Sequence, residues 1–261
     1  MIQRIKNKLP PYLVFRIQEL RRTITQGSAR TEYRKKCLKF YSEFIRTGDL
    51  VFDVGSNVGD RIDVFLKLDA KIIAIEPQEY CVNILRHRFG EKVIIVNSGL
   101  CEEESEREIH ISSALPLVSS FSEEWISKVK DTKLKGYEWD KTAKIRMTTL
   151  DNLIKKHGLP RFIKIDVEGY ELEVLKGLNS TVDMISFEYT YPEYRNRAVE
   201  CLNRISQINS KLACNFSIDE DMEFALPSWV GIPEMISIVN ESDQLGRGKG
   251  AGDIYVAKRE T

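Results

Sequence analysis

The chain has 261 residues, 42% of them hydrophobic and 9% aromatic, with a formal net charge of zero; that is apolar material enough for one large core and too much for a disordered chain. The neutral total excludes the overall electrostatic footprint of a nucleic-acid-binding protein. It hides an asymmetry, because residues 1–46 hold twelve Lys/Arg against three Asp/Glu.

Those first 46 residues read as a basic helical extension: a short helix, a break at Pro10-Pro11 and a further helix. Such a segment either packs on the rest of the chain with its charges in water, or makes a peripheral membrane or partner contact. From Leu50 the pattern alternates strand and helix, which predicts a parallel sheet with right-handed crossovers. Strands are expected at 50–54, 71–75 and 93–96, with helices at about 58–68 and 79–88 between them. Residues 101–148 interrupt the alternation. Period-two strands at 107–112 and 144–148 flank a polar stretch holding Phe121, Trp125, Tyr137 and Trp139. An insertion of that length suits a lid or an acceptor-binding segment; its aromatics equally fit a small core of its own. A helix at 150–156, a strand at 161–165, a helix at 170–176, a strand at 184–189 and a helix at about 193–210 follow. Two late strands are expected at 235–239 and 253–258. The glycine-rich stretch 246–252 precedes a strand, so it reads as a hairpin connection and not a phosphate loop. The division is thus 1–46 and a domain over 47–261.

Five widely spaced cysteines without a Cys-x-x-Cys read as reduced thiols of a cytoplasmic protein. His87, His110 and His157 are not at metal-ligand spacing, so no metal is expected. No apolar run approaches the roughly 20 residues of a membrane-spanning helix. Residues 1–9 are too polar for a secretory leader.

Four polar clusters fall at strand ends, where ligands bind in open α/β sheets. They are 53–59, Glu76-Pro77, Asn97-Ser98-Gly99 and 166–169. The first, with Asp53, Gly55, Ser56, Asn57 and Gly59, has the strand, tight loop and helix start that bring backbone N–H groups to a ligand. Its Gly-x-x-x-Gly spacing lacks the dinucleotide fingerprint, and no P-loop lysine follows. Asp53 suits a ligand with a positive amino group, such as S-adenosylmethionine (SAM). Glu76, at the end of the second strand, can accept both hydroxyls of a ribose. Asp166 and Glu168, at i and i+2 on a strand, would face one side. Paired carboxylates can raise one another's pKa and produce a base. Alternatively Asp166 holds cofactor or backbone N–H groups while Glu168 caps the next helix. His110, Glu188 and Tyr189 are further candidates.

The motifs at 52–59 (Phe-Asp-Val-Gly-Ser-Asn-Val-Gly), 75–77 (Ile-Glu-Pro), 149–151 (Thr-Leu-Asp) and 163–171 (Ile-Lys-Ile-Asp-Val-Glu-Gly-Tyr-Glu), with Val-Leu-Lys-Gly at 174–177, occur together. Over about residues 50–190 the chain resembles the FkbM family of SAM-dependent methyltransferases. The resemblance implies a class I methyltransferase (Rossmann-like) fold. That is a seven-stranded, mostly parallel sheet with a C-terminal antiparallel hairpin and helices on both faces. It implies SAM as cofactor, with Asp53, Gly55, Asn57 and Gly59 around the methionine moiety and Ser56 and Pro77 in the same binding loops. Glu76 would hold the ribose, and Asp166 would lie near the methyl donor. Asn97 and Ser98 would lie beside the adenine, where relatives commonly carry small apolar residues. The implied reaction is O-methylation of a saccharide or secondary-metabolite hydroxyl, with Asp166 or Glu168 as base. The expected partner is a small-molecule or glycan acceptor, not nucleic acid. Competing readings are a methyltransferase for protein or lipid-linked acceptors, and a SAM-binding scaffold or regulatory module without turnover.

Overall fold

The computed structural model describes residues 10–114, 118–192, 194–241, 245, 247 and 250–258. Helix α1 (Pro11–Tyr41) begins where the Pro10-Pro11 break was expected. A proline in the first turn forfeits only an N–H that has no helical partner. The short helix expected before it lies outside the described residues.

The expected alternation follows: β1 (Leu50–Val54), α2 (Ile62–Lys67), β2 (Lys71–Ile75), α3 (Glu79–Phe89) and β3 (Ile94–Val96). Helix α2 starts four residues later than its apolar pattern suggests. Gly55, Asn57 and Gly59 all have positive φ (80°, 50° and 87°), and a chain in the left-handed region cannot propagate a right-handed helix. β4 (Gly99–Leu100) leads into the insertion, which contains β5 (Ser105–Ile111), α4 (Glu123–Val129) and β6 (Lys141–Thr148). β4 and the two insertion strands form a separate three-stranded sheet in the order β4-β6-β5.

The remaining elements are α5 (Leu150–His157), β7 (Phe162–Ile165), α6 (Glu171–Lys176), β8 (Met184–Thr190), α7 (Arg195–Ile208), β9 (Ala213–Phe216), β10 (Val230–Gly231), α8 (Ile232–Glu241) and β11 (Ala251–Ala257). The main sheet has eight strands in the order β10-β9-β11-β8-β7-β1-β2-β3. It exceeds the expected seven by the two-residue β10. β3, β2, β1, β7 and β8 are parallel, and β11 enters antiparallel between β8 and β9.

One late strand must be corrected. Residues 235–239 belong to helix α8, and β11 instead pairs with β9 and β8. The β-branched run around Ile236 and Ile238 mimics a strand, yet Ile232, Met235 and Val239 are the buried residues, a helical spacing. Pro233 sits in the first turn, where helices tolerate it. The 246–252 connection lies partly outside the described residues; Ala251 and Gly252 open β11.

Alternation within each strand divides the core. Phe52, Val54, Ile73, Ile75, Ile163 and Ile165 pack with α5, α6, α7 and α8 on one face. Val51, Ile72, Ala74 and Phe162 face the other side, where Cys37, Phe40 and Tyr41 of α1 join α2 and α3. Strand order reverses between β1 and β7, so the C-terminal ends of these two strands open a crevice.

Candidate active site

Asp53 lies near the end of β1, level with Lys164 of β7. Both side chains are buried. Burial pushes the Asp53 carboxyl up to about 6, although Lys164 pulls against it. Its Oδ2 is a buried atom without a hydrogen-bond partner. A buried carboxylate oxygen left unpaired is costly unless a donor arrives, and an ammonium group is such a donor. Lys164 Nζ donates to Asp166 Oδ2 at 2.6 Å. Burial alone would lower the lysine pKa, but the carboxylates of Asp166 and Asp253 overcome it and leave it raised.

The loop after β1 turns sharply against the loop after β7. A Cβ on Gly55 would stand 1.8 Å from the Asp166 carbonyl oxygen, so only glycine permits this approach. Ser56 Oγ donates to the Asp53 carbonyl at 2.6 Å and locks the turn. Gly59 contributes differently: a Cβ there would strike Phe89 and Leu85, so it seats the loop on α3 and is not among the residues lining the crevice.

Glu76 directly follows β2 and is buried. Its Oε2 accepts the Asn57 N–H and its Oε1 the Gln78 N–H, both at 2.9 Å. Desolvation still pushes its pKa up to about 7. The two oxygens keep lone pairs for further donors, which fits a ribose diol. Asn97 Nδ2 donates to the carbonyls of Glu76 and Pro77, at 3.1 and 3.0 Å, so it braces that turn. Ser98 Oγ donates to the Arg146 carbonyl and is buried under the insertion.

The i, i+2 geometry expected of Asp166 and Glu168 is corrected by the structure. β7 ends at Ile165, and Glu168 has φ 54° in the loop beyond it, so strand alternation does not govern them. The loop itself brings both to the crevice. Burial, then the nearby Asp166 carboxylate, holds the Glu168 pKa well above the usual range. The loop is organised by Glu171, not by a Glu168 cap: Glu171 Oε1 accepts the N–H groups of Val167 and Gly169.

Three adjoining cavities run through this region. The first, about 500 Å³, is lined by Asp53, Gly55, Ser56, Asn57, Lys164 and Asp166, with Tyr33, Arg61 and Glu220 among its further walls. A neck of about 120 Å³ shares Gly55, Asn57 and Asp166 with it and adds Glu76, Pro77 and Glu168. The third, about 1030 Å³, shares Pro77 and Gln78 with the neck and reaches Asn97, Tyr80 and Lys144. Sequence reasoning missed several of these walls. Tyr33 of α1, Arg61 and Glu220 meet in one hydrogen-bonded cluster from three distant segments, with no local pattern to announce it. The neck is also walled by Ile109, Ser119 and Phe121 of the insertion.

The insertion is pinned in place. Ser120 Oγ donates to the Glu168 carbonyl at 2.6 Å, and Ser119 Oγ to Gln78 Oε1 at 3.0 Å. Its aromatics divide: Trp125 and Trp139 pack edge to face with Tyr194 beside them, whereas Tyr137 is exposed. Of the remaining candidates, His110 faces Glu123 at 3.4 Å. Tyr189 donates to the Ser217 carbonyl, and Glu188 stands opposite Asp253 across β8 and β11. None of the three lines the cavities.

No curated protein matches the chain. Among solved structures, the plantazolicin methyltransferase BpumL in complex with a monoazolic desmethylPZN analog and SAH is similar at 11% identity, with all of both chains covered and a TM-score of 0.45. An rRNA methylase from Streptococcus thermophilus is similar at 9% identity over 85% of this chain and 94% of that one, with a TM-score of 0.44. A TehB-like SAM-dependent methyltransferase from Corynebacterium glutamicum is similar at 6% identity over 86% and 88%, with a TM-score of 0.43. The model of the methyltransferase FkbM domain matches residues 53–224, a span that holds Asp53, Glu76, Asp166 and Glu168. The chain belongs to the FkbM methyltransferase family.

Proposed function

We propose that the protein transfers the SAM methyl group to a hydroxyl oxygen of a small molecule, a saccharide or a secondary metabolite. The observation that carries this reading is the neck, where Glu76, Asp166 and Glu168 converge between two wider cavities. SAM has three parts, and the three adjoining spaces suit them in order. The amino acid end meets unpaired Asp53 Oδ2 and the cationic Arg61, whose buried Nε is also unpaired. The ribose meets Glu76, and the adenine extends toward Asn97 and Gln78. When bound, the cofactor supplies an already activated methyl group, so the chain's task is alignment of the acceptor oxygen and removal of its proton. Asp166 and Glu168 are the carboxylates available at the neck for that proton. The insertion's Ile109, Ser119 and Phe121 support a shaped acceptor wall opposite them.

Calorimetric titration with SAM and S-adenosylhomocysteine, with NAD as control, tests the cofactor geometry. Wild-type protein should bind the first two and not the third. Glu76→Ala should weaken SAM binding about tenfold or more, the worth of hydrogen bonds to a charged acceptor; unchanged affinity would remove Glu76 from the ribose site. Screening soluble glycans and hydroxylated metabolites by mass spectrometry for a one-methyl gain then tests the acceptor class. Methylation confined to a protein substrate would overturn the small-molecule reading.

A further inference from the structure

We infer that the outer face of the first half of α1 docks on an anionic lipid bilayer. The large apolar side chains exposed among the described residues are Leu13, Ile17, Leu20, Ile94, Tyr137 and Leu159. The first three share one helix at spacings of four and three, which places them in a single line along it. They are 45%, 45% and 63% exposed. The helix does not need that line to hold its place. Phe15 is buried with Val58, Cys81 and Ile84, and Tyr12 stacks on His87 at 4.7 Å. The apolar stripe is therefore surplus to the fold of this half of the helix.

The charge of the sequence segment that carries the stripe selects its occupant. Through residue 22 the sequence carries Arg4, Lys6, Lys8, Arg16, Arg21 and Arg22 against Glu19 alone. Glu19 is ion-paired with Arg30 at 2.6 Å, and Arg16 is exposed next to the stripe. An apolar line within a cationic segment combines the two forces that hold helices at anionic interfaces: burial of apolar area and attraction to acidic headgroups. A second copy of this chain fits less well. With Leu13 and Leu20 at heptad position d and Ile17 at a, Arg16 falls at g and Arg21 at e. Two copies of so cationic a segment would repel along their flanks. Phe15, on the inner side of the same helix, shares a buried cluster with Val58, itself a wall of the first cavity, so the docked face backs onto the rim of the crevice.

Flotation of the full chain with vesicles of phosphatidylserine and phosphatidylcholine, and with phosphatidylcholine alone, tests this. Binding is expected to the mixed vesicles only and to weaken as salt is raised. Substituting Leu13→Gln, Ile17→Gln and Leu20→Gln together should weaken it at least about tenfold, and Arg16→Glu by a similar factor. SAM affinity and far-UV circular dichroism should stay unchanged in both variants, which separates lost docking from lost folding. Absence of binding to the mixed vesicles would overturn the inference, as would equal binding by the triple variant. A dimer in sedimentation that the triple variant dissolves, without vesicle binding, would assign the stripe to a second copy instead.

Discussion

At the scale of the residue, the proposed base at the neck is Glu168 or Asp166, and their surroundings differ. Asp166 is committed to Lys164 at 2.6 Å, an ion pair anchored by a buried cation. Glu168 forms no ion pair of its own among the described residues; burial, then the Asp166 charge, raises its pKa well above the usual carboxylate range against a smaller lowering by Lys164. A carboxylate so placed is the stronger base once ionised, because proton affinity and base strength rise together. Glu168→Gln is therefore expected to lower turnover by about 10²–10⁴, the usual worth of a general base, while SAM binds within about twofold of wild type. Formation of S-adenosylhomocysteine in the presence of acceptor reads the first quantity, and calorimetry the second. Turnover near the wild-type rate would exclude Glu168 as base and leave Asp166. Asp166→Asn should differ in kind. It removes the carboxylate hydrogen-bonded to Lys164 and leaves that cation less compensated beside the cofactor's positive charges, so SAM affinity should fall along with turnover.

At the scale of the element, the insertion behaves as a clamp fastened at its aromatic core. Trp125 is buried among Val129, Ile126 and Trp139. It also lies against Gly169, where a Cβ would come within 2.4 Å of the indole. Trp125→Ala removes that packing and should cost about 3–5 kcal/mol of stability. Urea denaturation reads the loss, and a cost below about 1 kcal/mol would mean that the insertion is not fastened by this core. The parallel strands and their polar ends were legible because each signal is local. Leu50 to Val54 and Lys71 to Ile75 are apolar runs that stop at charge or glycine, and the structure places β1 and β2 on those residues. Asp53, Glu76 and Asp166 are strand-end residues for the same reason. What stayed hidden depends on tertiary context. The helical burial of Ile232, Met235 and Val239 competes with a β-branched run. The left-handed turn at Glu168 overrides strand alternation. The meeting of Tyr33, Arg61 and Glu220 joins segments far apart in sequence.

At the scale of the whole molecule, the neutral formal charge conceals a store of buried carboxyl groups around the crevice. Desolvation raises Asp53 to about 6 and both Glu76 and Glu171 to about 7, and Glu168, Glu188 and Asp253 are raised for the same leading reason. All six move in one direction, so their effects on folding add. Between the ordinary carboxylate range near 4 and a pH of about 7, the folded chain holds protons that the unfolded chain has released. Stability must then fall as pH rises through that window, above which Asp53, Glu76 and Glu171 contribute no further fall. Asp183 and Glu124, whose pKa values are lowered by their lysine partners, oppose this weakly because both pairs are solvent-screened. Asp53, Glu76 and Glu171 together should account for a loss of about 6 kcal/mol between pH 5 and 8 in the ligand-free protein. In the proposed site SAM would bring an ammonium and a sulfonium to these carboxylates and favour their ionised forms, which should flatten the slope and release protons on binding. Urea midpoints across pH 5–8, with and without saturating SAM, measure both effects. A ligand-free protein whose stability climbs with pH over this range would show that the carboxylates around the crevice are hydrated in solution, and the electrostatic account of the cofactor site would fail with it.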